Sequence, residues 1–202
     1  GWCMLTTSMP PPRRAARLYG LGTALPPPAT AQPAILRFMT AVAEAANSEE
    51  GARAIPFLDR IYAGSGIDRR HSVLADYAME DPSGFGFYPK NAALEPFPST
   101  ARRLEIYERE SAPLADAAAR AALARSGFKA EDVTHFIATT CTGFFAPGPD
   151  LLMIALLGLR PDVSRTLIGF MGCYAGFNAM KLAQAAVAAD PEAVVLVLSV
   201  EL

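Results

Sequence analysis

The second half of the chain alternates between two apolar patterns, and these set out its elements before any single residue matters. Residues 193–200 are a short, nearly unbroken apolar run that reads as a buried strand, and 133–140 and 165–170 read as two more strands. Between them, 150–157 and 174–189 read as helices. A long Ala-rich helix is predicted over 100–125, where Ser126-Gly127 stops it. Strands alternating with helices predict the α/β class, with a mostly parallel sheet covered on both faces.

The first half is less regular. Residues 1–16 read as a loose leader around Pro10-Pro11-Pro12, and 17–25 as a short strand closed by the prolines at 26–28. The start at Gly1 rather than Met leaves room for residues foreign to the natural chain, Cys3 among them. Thr30 is a candidate N-cap for a helix with Ile35, Phe38, Met39 and Val42 on one face. A second helix is predicted over 49–62, ending at Gly64 and bent near Pro56. Residues 76–98 hold five aromatics, four prolines and two glycines without a steady period, which predicts a long structured loop with buried rings. The pairs Gly20-Leu-Gly22, Gly64-Ser-Gly66 and Gly84-Phe-Gly86 lack the third glycine of a dinucleotide loop and read as turn chemistry.

Composition narrows the class. The chain has 202 residues, 51% hydrophobic and 19% charged, with a formal charge of −2. So apolar a chain can offset its ordering entropy by burial. A near-neutral balance argues against nucleic-acid binding, although Arg13-Arg14, Arg69-Arg70 and Arg102-Arg103 cluster locally. The longest apolar runs are about half the ~20 residues that a membrane span needs. Three widely spaced cysteines, Cys3, Cys141 and Cys173, make no disulfide framework, and the expected setting is a cytoplasm with reduced thiols.

The chemistry centres on Leu167-Ile-Gly-Phe-Met-Gly-Cys173-Tyr-Ala-Gly176, an apolar strand running through Gly172 into a helix. Gly172 permits a tight turn and Gly176 a close backbone approach. A cysteine at a helix N-terminus meets unpaired N–H groups, which favour a thiolate and can receive an oxyanion. The plainer reading is a small cysteine packing a strand-to-helix corner. Neither histidine is a convincing base: His71 follows two arginines, and His135 opens the strand that ends before Cys141. No spacing of His, Cys or Asp suggests a metal site. A final strand that stops without a turn, and a nucleophile without a base, both lead to the expectation of a truncated chain.

Three segments together resemble the type III polyketide synthases, the chalcone-synthase-like enzymes, with the look of their bacterial members. These are Thr134-His-Phe-Ile-Ala-Thr-Thr-Cys141-Thr-Gly-Phe-Phe-Ala-Pro-Gly-Pro-Asp150, Leu157-Gly-Leu-Arg-Pro161 and Gly169-Phe-Met-Gly-Cys173-Tyr-Ala-Gly176. The likeness extends over residues 20–202. It implies a thiolase-like fold, with residues 17–202 forming the N-terminal domain of a longer homodimeric enzyme. A catalytic His and Asn are then expected in the C-terminal half, and the 202-residue piece alone is expected to be inactive.

By the same likeness, Cys173 takes an acyl group from acyl-CoA and extends it by decarboxylative condensation with malonyl-CoA. No organic cofactor or metal is implied, because coenzyme A arrives with the substrates. Arg60 matches a CoA-binding arginine, although the flanking lysines of plant members are replaced here by Phe57 and Gly64. Cys141 and Thr142 fall where members line the acyl pocket; Cys141 as a second nucleophile is the other reading. Ala146 falls where plant members carry a methionine that crosses the dimer interface. A small residue there implies a roomier pocket, a long fatty acyl starter, and alkylpyrone or alkylresorcinol products. Two other readings stay open: a ketoacyl synthase III-type enzyme served by acyl carrier protein, and a non-catalytic dimerisation module of the same fold.

Overall fold

The predicted strand after Asp132 becomes the central strand of a three-stranded sheet in the computed structural model, which describes residues 15–27 and 29–202. Cys3, Arg13-Arg14 and most of the predicted leader lie outside those residues. The described chain divides into two compact units. One holds the residues up to Thr23 together with Ser111–Glu201, and the other Ala24–Glu110 with Leu202.

In the second of these, strand β1 (Ala29–Ala31) pairs antiparallel with β2 (Arg69–His71), Thr30 opposite Arg70. Thr30 is therefore a strand residue and not a helix cap. Helix α1 (Gln32–Ala45) is entered through Ala31 without a side-chain cap, and Pro33 lies in its first turn. Helix α2 (Glu49–Gly64) is capped by Ser48, whose Oγ accepts the Gly51 N–H at 3.1 Å. Glu49 and Glu50 complement the positive end of α2, which continues through Pro56.

The aromatic loop is ordered by one buried carboxylate. Asp76 accepts N–H groups from Gly86, Phe87 and Tyr88 at 2.8–3.0 Å, which folds the segment over Phe38. Phe38, Phe85 and Leu94 form the core of this unit, with Tyr77 and Tyr88 packed against them. The Tyr77 and Tyr88 hydroxyls lie 2.8 Å apart. Burial, followed by that hydrogen bond and the nearness of Tyr88, pushes the Tyr77 phenol well above the usual tyrosine range. The fold thus favours neutral Tyr77, a contribution complete below about pH 10 and lost as pH rises beyond it. In an alkaline titration followed by near-ultraviolet absorbance, Tyr77 should ionise late, as structure is lost. Tyr77→Phe should remove that late step.

The other unit carries the sheet. Helix α3 (Thr100–Ser126) ends where Ser126 Oγ accepts the Phe128 N–H at 3.0 Å and Gly127 takes φ +78°. Then follow β3 (His135–Thr140), α4 (Pro149–Leu157), β4 (Ser164–Gly169), α5 (Ala175–Ala189) and β5 (Val195–Ser199). The sheet order is β4-β3-β5, with both pairings parallel. The register sets Phe136 beside Leu196 and Ala138 beside Leu198, so these four share one face. Ala115 and Ala119 of α3 and Met153 and Leu157 of α4 pack on that face, with Phe136 wholly buried. Helix α5 packs against all three strands, on the opposite face by the right-handed crossover rule. The predicted layering is therefore present in this unit.

Residues 17–25 are not the expected strand: 15–27 run without regular structure. Gly20 and Gly22 explain it, since a Cβ at either would collide with backbone atoms of α3 at Ala118 and Ala122. The segment is held by close approach to a helix instead of by a strand ladder. Tyr19 stacks edge-on against Phe128, and Arg125 donates to the Leu21 carbonyl at 2.6 Å.

Candidate active site

Three parallel strands ending at one edge bring three chain segments together. Residues 141–142 follow β3, 170–173 follow β4, and 200–201 follow β5. The chain leaves β3 for one neighbour and returns across it to the other. A sheet edge where connections diverge in this way is where ligands bind in open α/β sheets.

Cys173 lies in the turn joining β4 to α5, and it is exposed. Phe170 at φ +58° and Gly172 at φ +56° both take the left-handed conformation, which reverses the chain within four residues. For phenylalanine that conformation costs roughly 1–2 kcal/mol, a strain often found at functional turns. No side chain caps α5, which begins two residues after Cys173. The Ala175 N–H, first of the helix, is donated to the Gly172 carbonyl, and the positive end of the α5 dipole lies on the Cys173 side.

Cys141 is half-buried, and its Sγ accepts the Gly172 N–H at 3.0 Å. This contact ties the end of β3 to the residue preceding Cys173. Glu201 closes the arrangement, its carboxylate accepting from the Cys141 N–H at 2.9 and 3.0 Å. The same group accepts the Thr142 N–H at 2.9 Å and the Thr142 hydroxyl at 2.7 Å. One layer below, Thr139 Oγ1 donates to Ser199 Oγ at 2.9 Å.

Exposed apolar side chains surround the turn. Phe170, 80% exposed, lies with its ring centroid 5.9 Å from that of Phe144, and Tyr174 packs on Phe177 at 5.7 Å. Lys181 Nζ donates to the Tyr174 hydroxyl at 2.6 Å and lies 4.9 Å from its ring centroid.

Of the residues expected to act, Cys173, Cys141 and Thr142 are brought together, and Ala146 is exposed in the turn before α4. Arg60 belongs to the other unit, exposed on α2 with its guanidinium 5.8 Å from the Phe57 ring centroid. His135 opens β3, at the opposite end from Cys141, with Nδ1 2.9 Å from Thr134 Oγ1. His71 Nδ1 lies 2.8 Å from the Pro26 carbonyl oxygen. Glu201 is the residue that sequence reading missed. Its signal was the parallel order, which sends residues two past β5 to meet those just past β3.

The family model described as chalcone and stilbene synthases, N-terminal domain, matches residues 9–202. A bisdemethoxycurcumin synthase of Oryza sativa is 33% identical over 93% of this chain and 44% of that protein. An α-pyrone synthesis polyketide synthase-like protein, Pks18, of Mycobacterium tuberculosis is 30% identical over 95% of this chain and 50% of its own length. Among solved structures, PKS-I of the brown alga Ectocarpus siliculosus superposes with a TM-score of 0.71 at 31% identity, covering 86% of this chain and 44% of that one. The C-terminal type III polyketide synthase domain of Steely1 from Dictyostelium gives 0.78 at 25% identity, covering 94% and 48%. The chain spans about half the length of the curated relatives it matches.

Proposed function

The chain belongs to the chalcone and stilbene synthase family, the type III polyketide synthases, and shares their thiolase-like α/β fold; from that premise we propose that Cys173 is the residue on which acyl groups are loaded and extended. The observation that carries the proposal is the exposed thiol at the left-handed turn before the uncapped N-terminus of α5.

The thiolate attacks the carbonyl of an acyl-CoA, a tetrahedral oxyanion forms, and coenzyme A leaves as its thiol after taking up a proton. Backbone N–H groups at the start of α5 are suited to stabilise that oxyanion. Malonyl-CoA then loses CO2, and its enolate attacks the Cys173 thioester, forming a carbon–carbon bond and releasing the cysteine thiolate. The extended chain, now carried by coenzyme A, is passed back to Cys173 with release of the coenzyme A thiol, and each repetition lengthens a poly-β-keto chain that finally cyclises. Thr142 and Ala146 line the acyl pocket, as does Cys141, and Arg60 contacts the CoA phosphates. This chemistry asks for no metal or organic cofactor.

Ala146, a small residue where plant members carry a methionine, leaves room for a long fatty acyl starter. With a relative named for α-pyrone synthesis, it supports alkylpyrone products, with alkylresorcinols as the other ring closure. The proposal extends to a cytoplasmic homodimer, and to the 202-residue chain sustaining no turnover by itself.

The test is to incubate the full-length protein with a long-chain acyl-CoA and then with malonyl-CoA, without acyl carrier protein. An acyl adduct on Cys173 by mass spectrometry, followed by release of a pyrone or resorcinol, is the expected result. Condensation only with a carrier-protein thioester would instead make this a ketoacyl synthase III-type enzyme. No acyl adduct at all would leave a non-catalytic module.

A further inference from the structure

Glycine at 172 makes the nucleophile turn easy to form and equally easy to deform, since glycine gives up more backbone freedom than any other residue when ordered. Something must select one conformation. A chain of hydrogen bonds forms an unbroken path for doing so. Glu201 accepts the Cys141 N–H and both donors of Thr142, and the Cys141 sulfur accepts the Gly172 N–H. Every donor facing Glu201 is an N–H or O–H, so the site calls for an acceptor-only group with two oxygens. A carboxylate meets that demand, while an amide would set its NH2 against the Cys141 N–H.

We propose that Glu201 is a positioning residue for Cys173: it fixes Cys141, and the Cys141 sulfur in turn holds Gly172 and the turn that presents the nucleophile. This role rests on the reading of Cys173 as the acyl acceptor. It assigns Cys141 a second duty beside lining the pocket, as the link between two strand ends.

The test compares Glu201→Gln, Cys141→Ala, the double variant and Cys141→Ser in the full-length protein. Single-turnover acylation of Cys173 gives a maximal rate and a half-saturating acyl-CoA concentration, and thermal melting is recorded for each. Glu201→Gln and Cys141→Ala are each expected to slow the maximal rate about 10- to 100-fold, the scale of a misplaced reacting group. The half-saturating concentration should stay within about twofold, because the loss is of orientation and not of binding. The double variant should be no slower than the slower single one, since both act through one link. Cys141→Ser should restore most of the rate, its hydroxyl accepting the Gly172 N–H.

Amide exchange at Gly172 reads the same link without any acyl transfer. It should quicken at least about tenfold in Glu201→Gln and Cys141→Ala. Independent, multiplying effects of the two substitutions would overturn the proposal, as would lowered melting temperatures with unchanged acylation rates. A parent enzyme that is not acylated on Cys173 removes the functional reading itself. Gly172 exchange then decides whether the link exists, and unchanged exchange in Glu201→Gln ends it.

Discussion

Cys173→Ala in the full-length protein is expected to abolish acyl loading from acyl-CoA, with a rate loss of about 10⁴-fold or more, because the reaction loses its nucleophile. The other thiol among the described residues is a poor substitute. Cys141 is half-buried and already engaged with the Gly172 N–H. The acyl label should therefore vanish and not move to Cys141. Peptide mapping after incubation with a labelled acyl-CoA checks this, and a label persisting on Cys141 would count against the assignment. Because Cys173 is exposed, the substitution should leave urea stability within about 0.5 kcal/mol of the parent. Lost activity could not then be ascribed to lost fold.

The largest effect on stability is expected at Phe136. Its side chain is fully buried at 0% exposure, on the strand that is paired along both edges. Such a position cannot collapse around a void, because β4 and β5 hold the backbone on either side. Phe136→Ala should cost about 3–5 kcal/mol, the range for deleting a buried ring. Urea unfolding should show the midpoint falling with an unchanged slope. Phe177→Ala, at an exposed position on α5, should fall within about 0.5 kcal/mol and serves as the contrast. A loss below about 1 kcal/mol for Phe136→Ala would remove that residue from the core, since small values belong to surface sites.

What the residues alone disclosed follows from where burial dictates pattern. Strands β3, β4 and β5 and helices α3 to α5 were legible because a covered sheet demands apolar runs, and Gly127 and Gly158 mark helix ends. The pair β1–β2 was invisible. Three residues, Arg69–His71, are too few to show a period and are all exposed, and Thr30 resembled a cap until its partner Arg70 was seen. The segment around Gly20 and Gly22 looked like a strand because close packing on a helix needs the same small residues that a strand tolerates. The boundary between the units falls within α3, where no shift in composition announces it. Cys173 could be singled out from its local turn, whereas Glu201 could not. Its role depends on register between strands 60 residues apart, which no local pattern encodes.

That same register bears on how the chain is made. His135 pairs with Val195, so β3 leaves the ribosome 60 residues ahead of its second partner. At about 5–20 residues per second, the central strand waits roughly 3–12 s with one edge unpaired. During that interval the strand that ends most deeply buried in the unit is a sticky, half-assembled surface. The nascent protein is thus a natural client for a chaperone that shields strand edges, and slow synthesis through 141–195 would lengthen its exposure.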